Sequence, residues 1–154
     1  MRLMRATAAI SAVALLLPLL LTEIPAVAAD ETIGSVKKAI GSVTIVRDGQ
    51  RTPAPPGFKL HSGDTLETGP DGQLGIILRD DSLFSLGPSS RFVIEQFLFV
   101  PAEGKLGLTA RILRGTMAYV SGIIGRLAPE SASFVTPVAT IGVRGTHFAA
   151  KVSE

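Results

Sequence analysis

The 154-residue sequence has no cysteine and no tryptophan, and it contains only one tyrosine and two histidines. Without cysteine, a disulfide framework, a thiolate metal site and a cysteine nucleophile are all excluded. Two histidines are also too few for most zinc sites. The composition therefore leaves little metal or redox chemistry open, and we predict that the protein uses no cofactor.

Charged residues are also sparse. They make up 18% of the chain, and 15 Lys and Arg against 13 Asp and Glu give a formal net charge of +2. The longest basic run is Lys37-Lys38, whereas proteins that follow nucleic-acid phosphates cluster several cationic side chains on one face. We therefore predict that nucleic acid is not a partner.

Residues 1–28 have the features of a secretory signal peptide. Arg2 and Arg5 provide a positive start, and residues 6–21 are almost entirely apolar. Ala26-Val27-Ala28 then has the small-x-small pattern that signal peptidase recognises. We predict cleavage after Ala28, or one residue later after Ala29.

An uncleaved N-terminal anchor is the alternative for this segment. A membrane-spanning helix needs about 20 consecutive apolar residues, but Pro18 interrupts the apolar stretch, and Glu23 and Pro25 follow it closely. Cleavage is the better interpretation. It predicts a bacterial protein that is periplasmic or secreted and keeps no stable membrane anchor.

Residues 29–154 are predicted to form one all-β domain. Gly and Pro interrupt this part of the chain regularly, and the runs between them are rich in Val, Ile, Thr, Phe and Leu, a pattern typical of short strands joined by turns. Asp48-Gly49 is one such turn signal, because both residues tolerate the positive φ of a tight hairpin. Turns at intervals of about 8 to 12 residues suit a sandwich, a barrel or a small solenoid. The predicted strands are 41–47, 65–68, 73–78, 82–86, 91–100, 105–114, 116–120, 133–136, 139–144 and 147–152.

Side-chain alternation supports the strand assignment. From Lys105 to Ile112, Leu106, Leu108 and Ala110 occupy alternate positions, which predicts one buried and one exposed face. In contrast, residues 51–57 contain three prolines, which lack the N–H that a ladder needs. We predict that this segment is an exposed loop.

Three stretches of the sequence resemble the FecR domain, a periplasmic module named after the ferric-citrate regulator. Its closing motif resembles TPVATIGVRGTHF, from Thr136 to Phe148. Its central part is similar to GDTLETGPDGQLGIILRDDSLFSLGPSS (Gly63–Ser90) and to FVIEQFLFVPAEGKLGLTARILRGTMAYVSG (Phe92–Gly122). One departure is Asp81, which stands where the family pattern has Gly. Since Asp tolerates left-handed geometry, we expect the turn to persist.

The resemblance implies an all-β module with the form of a short, twisted β-solenoid or β-roll, and a β-sandwich is the alternative. It also implies a role in protein contacts rather than chemistry. The namesake regulators carry a cytoplasmic anti-sigma segment and a membrane span. Because the N-terminus here has the features of a cleavable signal, we expect a stand-alone regulatory module that binds another envelope protein, such as a membrane sensor. A cell-wall or carbohydrate-binding module is the second hypothesis, although Tyr119 is the sole Tyr or Trp available for stacking on sugars.

No pattern in the sequence predicts an enzyme. The G-x-S-x-G nucleophile elbow is absent. His61, Ser62 and Asp64 lie close in sequence, but such neighbours seldom converge in an extended chain, so a polar turn is the better interpretation. We assign Asp71, Asp80 and Asp81 to turns rather than to calcium binding, and we expect Glu95 and Gln96 to face solvent or to form a bulge.

Arg144 and His147 are the two candidate partner-binding residues, and both belong to the closing motif. Arg144 could bind an anionic group of a partner, but a structural role, in which it holds a neighbouring carbonyl or carboxylate at the turn that Gly145 permits, is the better interpretation. His147 alternates with Phe148, Ala150 and Val152, so we expect its side chain to lie on the exposed face of a strand. No catalytic, cofactor-binding or metal-binding residue is predicted.

Overall fold

The computed structural model describes residues 31–144 and 147–153, so the predicted signal peptide lies outside the described residues. The all-β prediction is confirmed. The strands are β1 (Thr32–Ile40), β2 (Val43–Arg47), β3 (Gln50–Pro53), β4 (Lys59–His61), β5 (Thr65–Thr68), β6 (Gln73–Leu78), β7 (Leu83–Leu86), β8 (Arg91–Val100), β9 (Lys105–Val120), β10 (Ala132–Val135), β11 (Thr140–Gly142) and β12 (His147–Val152). A short helix, α1 (Ile123–Leu127), follows β9, and 3₁₀ turns occupy Pro101–Glu103 and Pro129–Ser131.

The strands form one curled sheet with the shape of a half-barrel, and β9 connects its two halves. The order along the main path is β3-β2-β5-β8-β9-β7-β6-β1-β4. The first part of β9 pairs with β8 and β10, and the last part pairs with β7 and β12. Among the described ladders only β9–β10 is parallel. This pairing corresponds more closely to a curled antiparallel sheet than to the parallel coils of a solenoid.

The core lies inside the curl, where alternate residues of each strand point. In β6, Leu74, Ile76 and Leu78 are at most 2% exposed, whereas the residues between them are more open. β9 shows the predicted alternation, with Leu108 and Ala110 completely buried. The largest buried side chains are aromatic and come from four different strands: Phe84, Phe92, Tyr119 and Phe134.

Two acidic turn residues adopt the left-handed geometry expected from the sequence. Asp48 and Gly49 have φ values of 50° and 77° and form the tight hairpin between β2 and β3. Asp81 has a φ of 66°, so the turn between β6 and β7 persists with Asp in place of the family's Gly. A short polar side chain makes this geometry tolerable.

The prediction that residues 51–57 form a loop is wrong for its first part, because Gln50–Pro53 is β3 and pairs with β2. β3 is the outermost strand of the path, so the N–H that Pro53 lacks is not required by a second neighbour. The predicted strands 105–114 and 116–120 are the single strand β9. Strands β1 and β4 and helix α1 were not predicted.

The longest helix within residues 31–144 and 147–153 is α1, with five residues. None of the helices in this part of the chain has the length and apolar character that crossing a membrane requires.

Candidate functional site

An open groove of about 920 Å³ lies between the α1 segment and the β10–β11 hairpin. Its apolar floor includes Ala132 and Val143, which are 1% and 6% exposed. Three charged residues line it with exposed side chains: Arg126, Glu130 and Arg144. The groove therefore combines a small apolar surface with charges that solvent or a ligand can reach.

The α1 side of the groove is fixed by Asp80, a carboxylate with no solvent exposure. Its Oδ1 accepts a hydrogen bond from the backbone N–H of Ser82 at 3.1 Å. Its Oδ2 accepts hydrogen bonds from the Ser82 hydroxyl at 2.8 Å and from the N–H of Ile124 at 3.2 Å. Because one buried side chain joins the β6–β7 turn to the first turn of α1, the position of Arg126 is set by the core.

Glycines allow α1 to pack this closely. A Cβ on Gly122 would lie 2.3 Å from the carbonyl oxygen of Asp80, and one on Gly125 would lie 2.2 Å from the Ser121 hydroxyl. Gly142 lines the opposite side of the groove and is not packed closely, since no atom lies within 4 Å of the position that a Cβ would take. Space within the groove is therefore open at Gly142 and closed behind α1.

Replacing Asp80 with asparagine is expected to lower the free energy of unfolding by about 2 kcal/mol. Both carboxylate oxygens accept hydrogen bonds, so the amide NH₂ of asparagine must face a donor and leave a buried polar group unsatisfied. Urea denaturation measures the loss. Asp81→Asn is the matched control, because Asp81 is exposed and asparagine tolerates its left-handed φ. Equal losses in the two variants would contradict the role of Asp80.

The charges along the groove are not neutralised within the part of the chain that the structure describes. There, the guanidinium groups of Arg126 and Arg144 and the carboxylate of Glu130 make no hydrogen bond or ion pair. Two cations face one anion. The structural role of Arg144, holding a carbonyl or carboxylate at a turn, has no acceptor among the described residues and stays a prediction.

His147 lies elsewhere. It is the first residue of β12, opposite Val120 of β9, and it is exposed while the next residue, Phe148, is half-buried. This is the face predicted from the alternation. Arg144 lines the groove and His147 does not, so the two candidate residues do not share this cavity, and their roles in partner binding stay predictions.

The His61-Ser62-Asp64 segment is a turn tied to the core. Asp64 is 1% exposed, and its carboxylate accepts two hydrogen bonds from the Arg47 guanidinium, both at 2.7 Å. It also accepts one from the backbone N–H of His61 at 2.8 Å. Asp64 therefore serves as a structural acceptor in this turn, in agreement with the polar-turn interpretation of the segment.

The other acidic candidates are also used locally. Asp71 Oδ1 accepts a hydrogen bond from the N–H of Ser42 at 3.3 Å. Glu95 lies at a bulge between β8 and β9 and pairs with Arg111 at 2.5 Å. The hydrogen bond and the charge of Glu95 raise the pKa of Arg111. In the described residues, no three His, Asp or Glu side chains are grouped to hold a metal ion.

Arg126 lines the groove but was not identified from the sequence. Residues 121–132 carried no strand signal and received no assignment. The sequence does contain a hint in this segment, since Ile123-Ile124 precedes Arg126 and Pro129 follows it. An apolar turn that ends with a basic residue before proline is typical of a short helix.

Fold and site together define an all-β domain whose buried carboxylates support turns and whose charged groove is open. The family model described as FecR protein matches residues 64–154, more than half of the chain. The chain therefore belongs to the FecR family, as the resemblance predicted. This is a regulatory, non-enzymatic family that is typically associated with the cell envelope. Searches of curated proteins and of solved structures gave no match.

Proposed function

We propose that this protein is a non-enzymatic regulatory module of the bacterial periplasm that binds another protein of the cell envelope. The observation that carries the proposal is the FecR family match over residues 64–154, which includes every residue of the groove. In this proposal, residues 1–28 are a signal peptide that directs the chain to the periplasm and is removed on export.

The environment of the polar side chains supports a binding function over catalysis. The two buried carboxylates, Asp64 and Asp80, each accept three hydrogen bonds from the protein itself. A catalytic acid or base must instead reach a substrate within hydrogen-bond distance. Both groups therefore stabilise turns.

The second hypothesis, a cell-wall or carbohydrate-binding module, receives no support from the aromatic residues. Sugar-binding surfaces present aromatic rings to the ligand, but Tyr119 and Phe134 are each 1% exposed and Phe92 is completely buried. Phe84 is also 1% exposed, and the rings of Phe58, Phe97, Phe99 and Phe148 are partly buried against the core.

Photo-crosslinking in cells tests the proposal. A photoreactive amino acid at Val138, which is 93% exposed at the tip of the β10–β11 hairpin, is expected to yield a covalent adduct with an envelope protein after purification under denaturing conditions. The same photoreactive amino acid at the buried position Leu60 is the control and is expected to give no adduct. Recovery of the free chain alone from every exposed position and growth state would overturn the proposal.

A further inference from the structure

The geometry points to the groove between α1 and β11 as the docking site for an extended acidic segment of the partner protein. This inference rests on the proposed function, because it names the surface and the chemistry through which an envelope partner binds.

Charge is the first argument. Arg126 and Arg144 present two guanidinium groups that make no ion pair or hydrogen bond with the described part of the chain. Guanidinium groups bind carboxylates through paired, charge-assisted hydrogen bonds. The single nearby anion, Glu130, leaves an excess of positive charge in the groove. The complementary ligand carries carboxylates.

The small number of arginines and their apolar surroundings favour a peptide over other anionic ligands. Membrane surfaces and nucleic acids are recognised by larger clusters of basic residues, and this groove has two. The buried side chains of Ala132 and Val143 also form an apolar floor between them. A segment that places an apolar side chain between acidic ones matches both features.

The sheet supplies the third argument, since β11 is an edge strand. It pairs with β10 alone in the described structure, so its other side is open for main-chain hydrogen bonds with an added strand. Gly142 lies at the end of β11, opposite Ser133, and both residues line the groove. A peptide that extends the sheet at β11 pairs next to Gly142, and Val143 and Arg144, which follow Gly142 in the chain, line the same groove.

A peptide-binding measurement tests this site. The probe is a short blocked peptide, Glu-Ser-Val-Ser-Glu-Ser-Val, whose glutamates and valines lie on one face of an extended chain, and binding to the purified chain is followed by fluorescence anisotropy. The double variant R126E/R144E is expected to bind at least about tenfold more weakly, because attraction becomes repulsion. The matched control is K37E/K38E, which makes the same change in net charge at two exposed residues of β1 and is expected to bind like the wild type.

A steric variant separates the groove from general electrostatics. Gly142→Phe places a ring where no atom lies within 4 Å of the Cβ, so the fold is expected to persist while the peptide is excluded. Unchanged urea denaturation confirms that the fold is intact. A peptide with lysine in place of glutamate is expected not to bind.

Several results would overturn the inference. These are no binding of the glutamate peptide at millimolar concentration, equal binding by R126E/R144E, or Arg-dependent binding of anionic vesicles or polygalacturonate in preference to the peptide. Crosslinking in cells separates the two proposals. If R126E/R144E still captures the partner of the wild type, the groove is not the docking site and the proposed function stands. If the wild type captures no partner, the proposed function itself fails.

Discussion

Phe134→Ala is expected to lower the free energy of unfolding by about 4 kcal/mol, a typical loss for a buried phenylalanine. Phe134 lies in β10 and is 1% exposed. Its ring centroid is 4.7 Å from that of Tyr119, 4.9 Å from that of Phe148 and 5.8 Å from that of Phe84. Since these neighbours belong to three other strands, they cannot all move inward to fill the cavity.

Equilibrium urea denaturation of purified protein measures this loss. Phe134→Leu retains most of the buried volume and is expected to cost less than about 1.5 kcal/mol. Phe97→Ala is the control for loss of a ring, because Phe97 is half-buried and its ring centroid lies 6.2 Å from that of Phe99. If Phe97→Ala and Phe134→Ala were equally destabilising, Phe134 would not hold β10 against the core.

The effect reaches the groove as well as the core. β10 carries Ala132 and Ser133, which line the groove, and it connects the 3₁₀ turn after α1 to β11. Most domains are stable by only about 5 to 15 kcal/mol. A loss of the expected size therefore removes a large share of the stability on which the docking surface depends.

Local sequence signals predicted the strands in which each face has a clear environment. The predicted ranges 65–68, 73–78, 91–100 and 147–152 coincide with β5, β6, β8 and β12. In β6 and β12, every second residue is more buried than the residues between, because one face packs on the core and the other is more open to solvent. The Asp48-Gly49 hairpin was predictable for a similar reason, since its backbone geometry depends on those two residues alone.

The missed strands depend on neighbours that are distant in sequence. β1 contains Lys37-Lys38, and its pairing with β6 shifts register between Val36 and Lys38, so a bulge breaks the alternation that would identify the strand. β3 contains Pro53, which is tolerated because the strand lies at the edge of the sheet. No local pattern states which strand will be at an edge.

The groove was only partly predictable for the same reason. Arg144 was identified because it interrupts an apolar motif, whereas Arg126 lies in a segment without periodicity. The two residues line one groove because Asp80, from the β6–β7 turn, binds the start of α1. That bond joins residues 44 positions apart, and the sequence contains no local sign of it.

Gly115→Ala is expected to lower the free energy of unfolding by about 3 kcal/mol, from two separate costs. Gly115 has a φ of 90°, and left-handed geometry costs a non-glycine residue about 1 to 2 kcal/mol. A Cβ at this position would also lie 2.2 Å from the Ser90 hydroxyl oxygen and 2.5 Å from the Ser90 Cα. Because the Cα belongs to the backbone, the overlap is relieved only by shifting a strand, which adds about 1 to 3 kcal/mol.

Gly49→Ala separates the two costs, because it incurs only the first of them. Gly49 has a φ of 77°, but no atom lies within 4 Å of the position that a Cβ would take. Its substitution is therefore expected to lower the free energy of unfolding by about 1 kcal/mol, the cost of left-handed geometry alone. The difference between the two variants in urea denaturation therefore measures the close approach of β9 to Ser90.

The close contact between Gly115 and Ser90 lies where β9 passes from one half of the sheet to the other. β9 leaves its ladder with β8 at Arg114 and joins β7 at Met117. Between them, the Ser90 hydroxyl accepts a hydrogen bond from the N–H of Thr116 at 3.0 Å and donates to the carbonyl of Gly87. An alanine at position 115 displaces the hydroxyl that makes these bonds. If Gly115→Ala cost no more than Gly49→Ala, the passage of β9 from its ladder with β8 to its ladder with β7 would not depend on this contact.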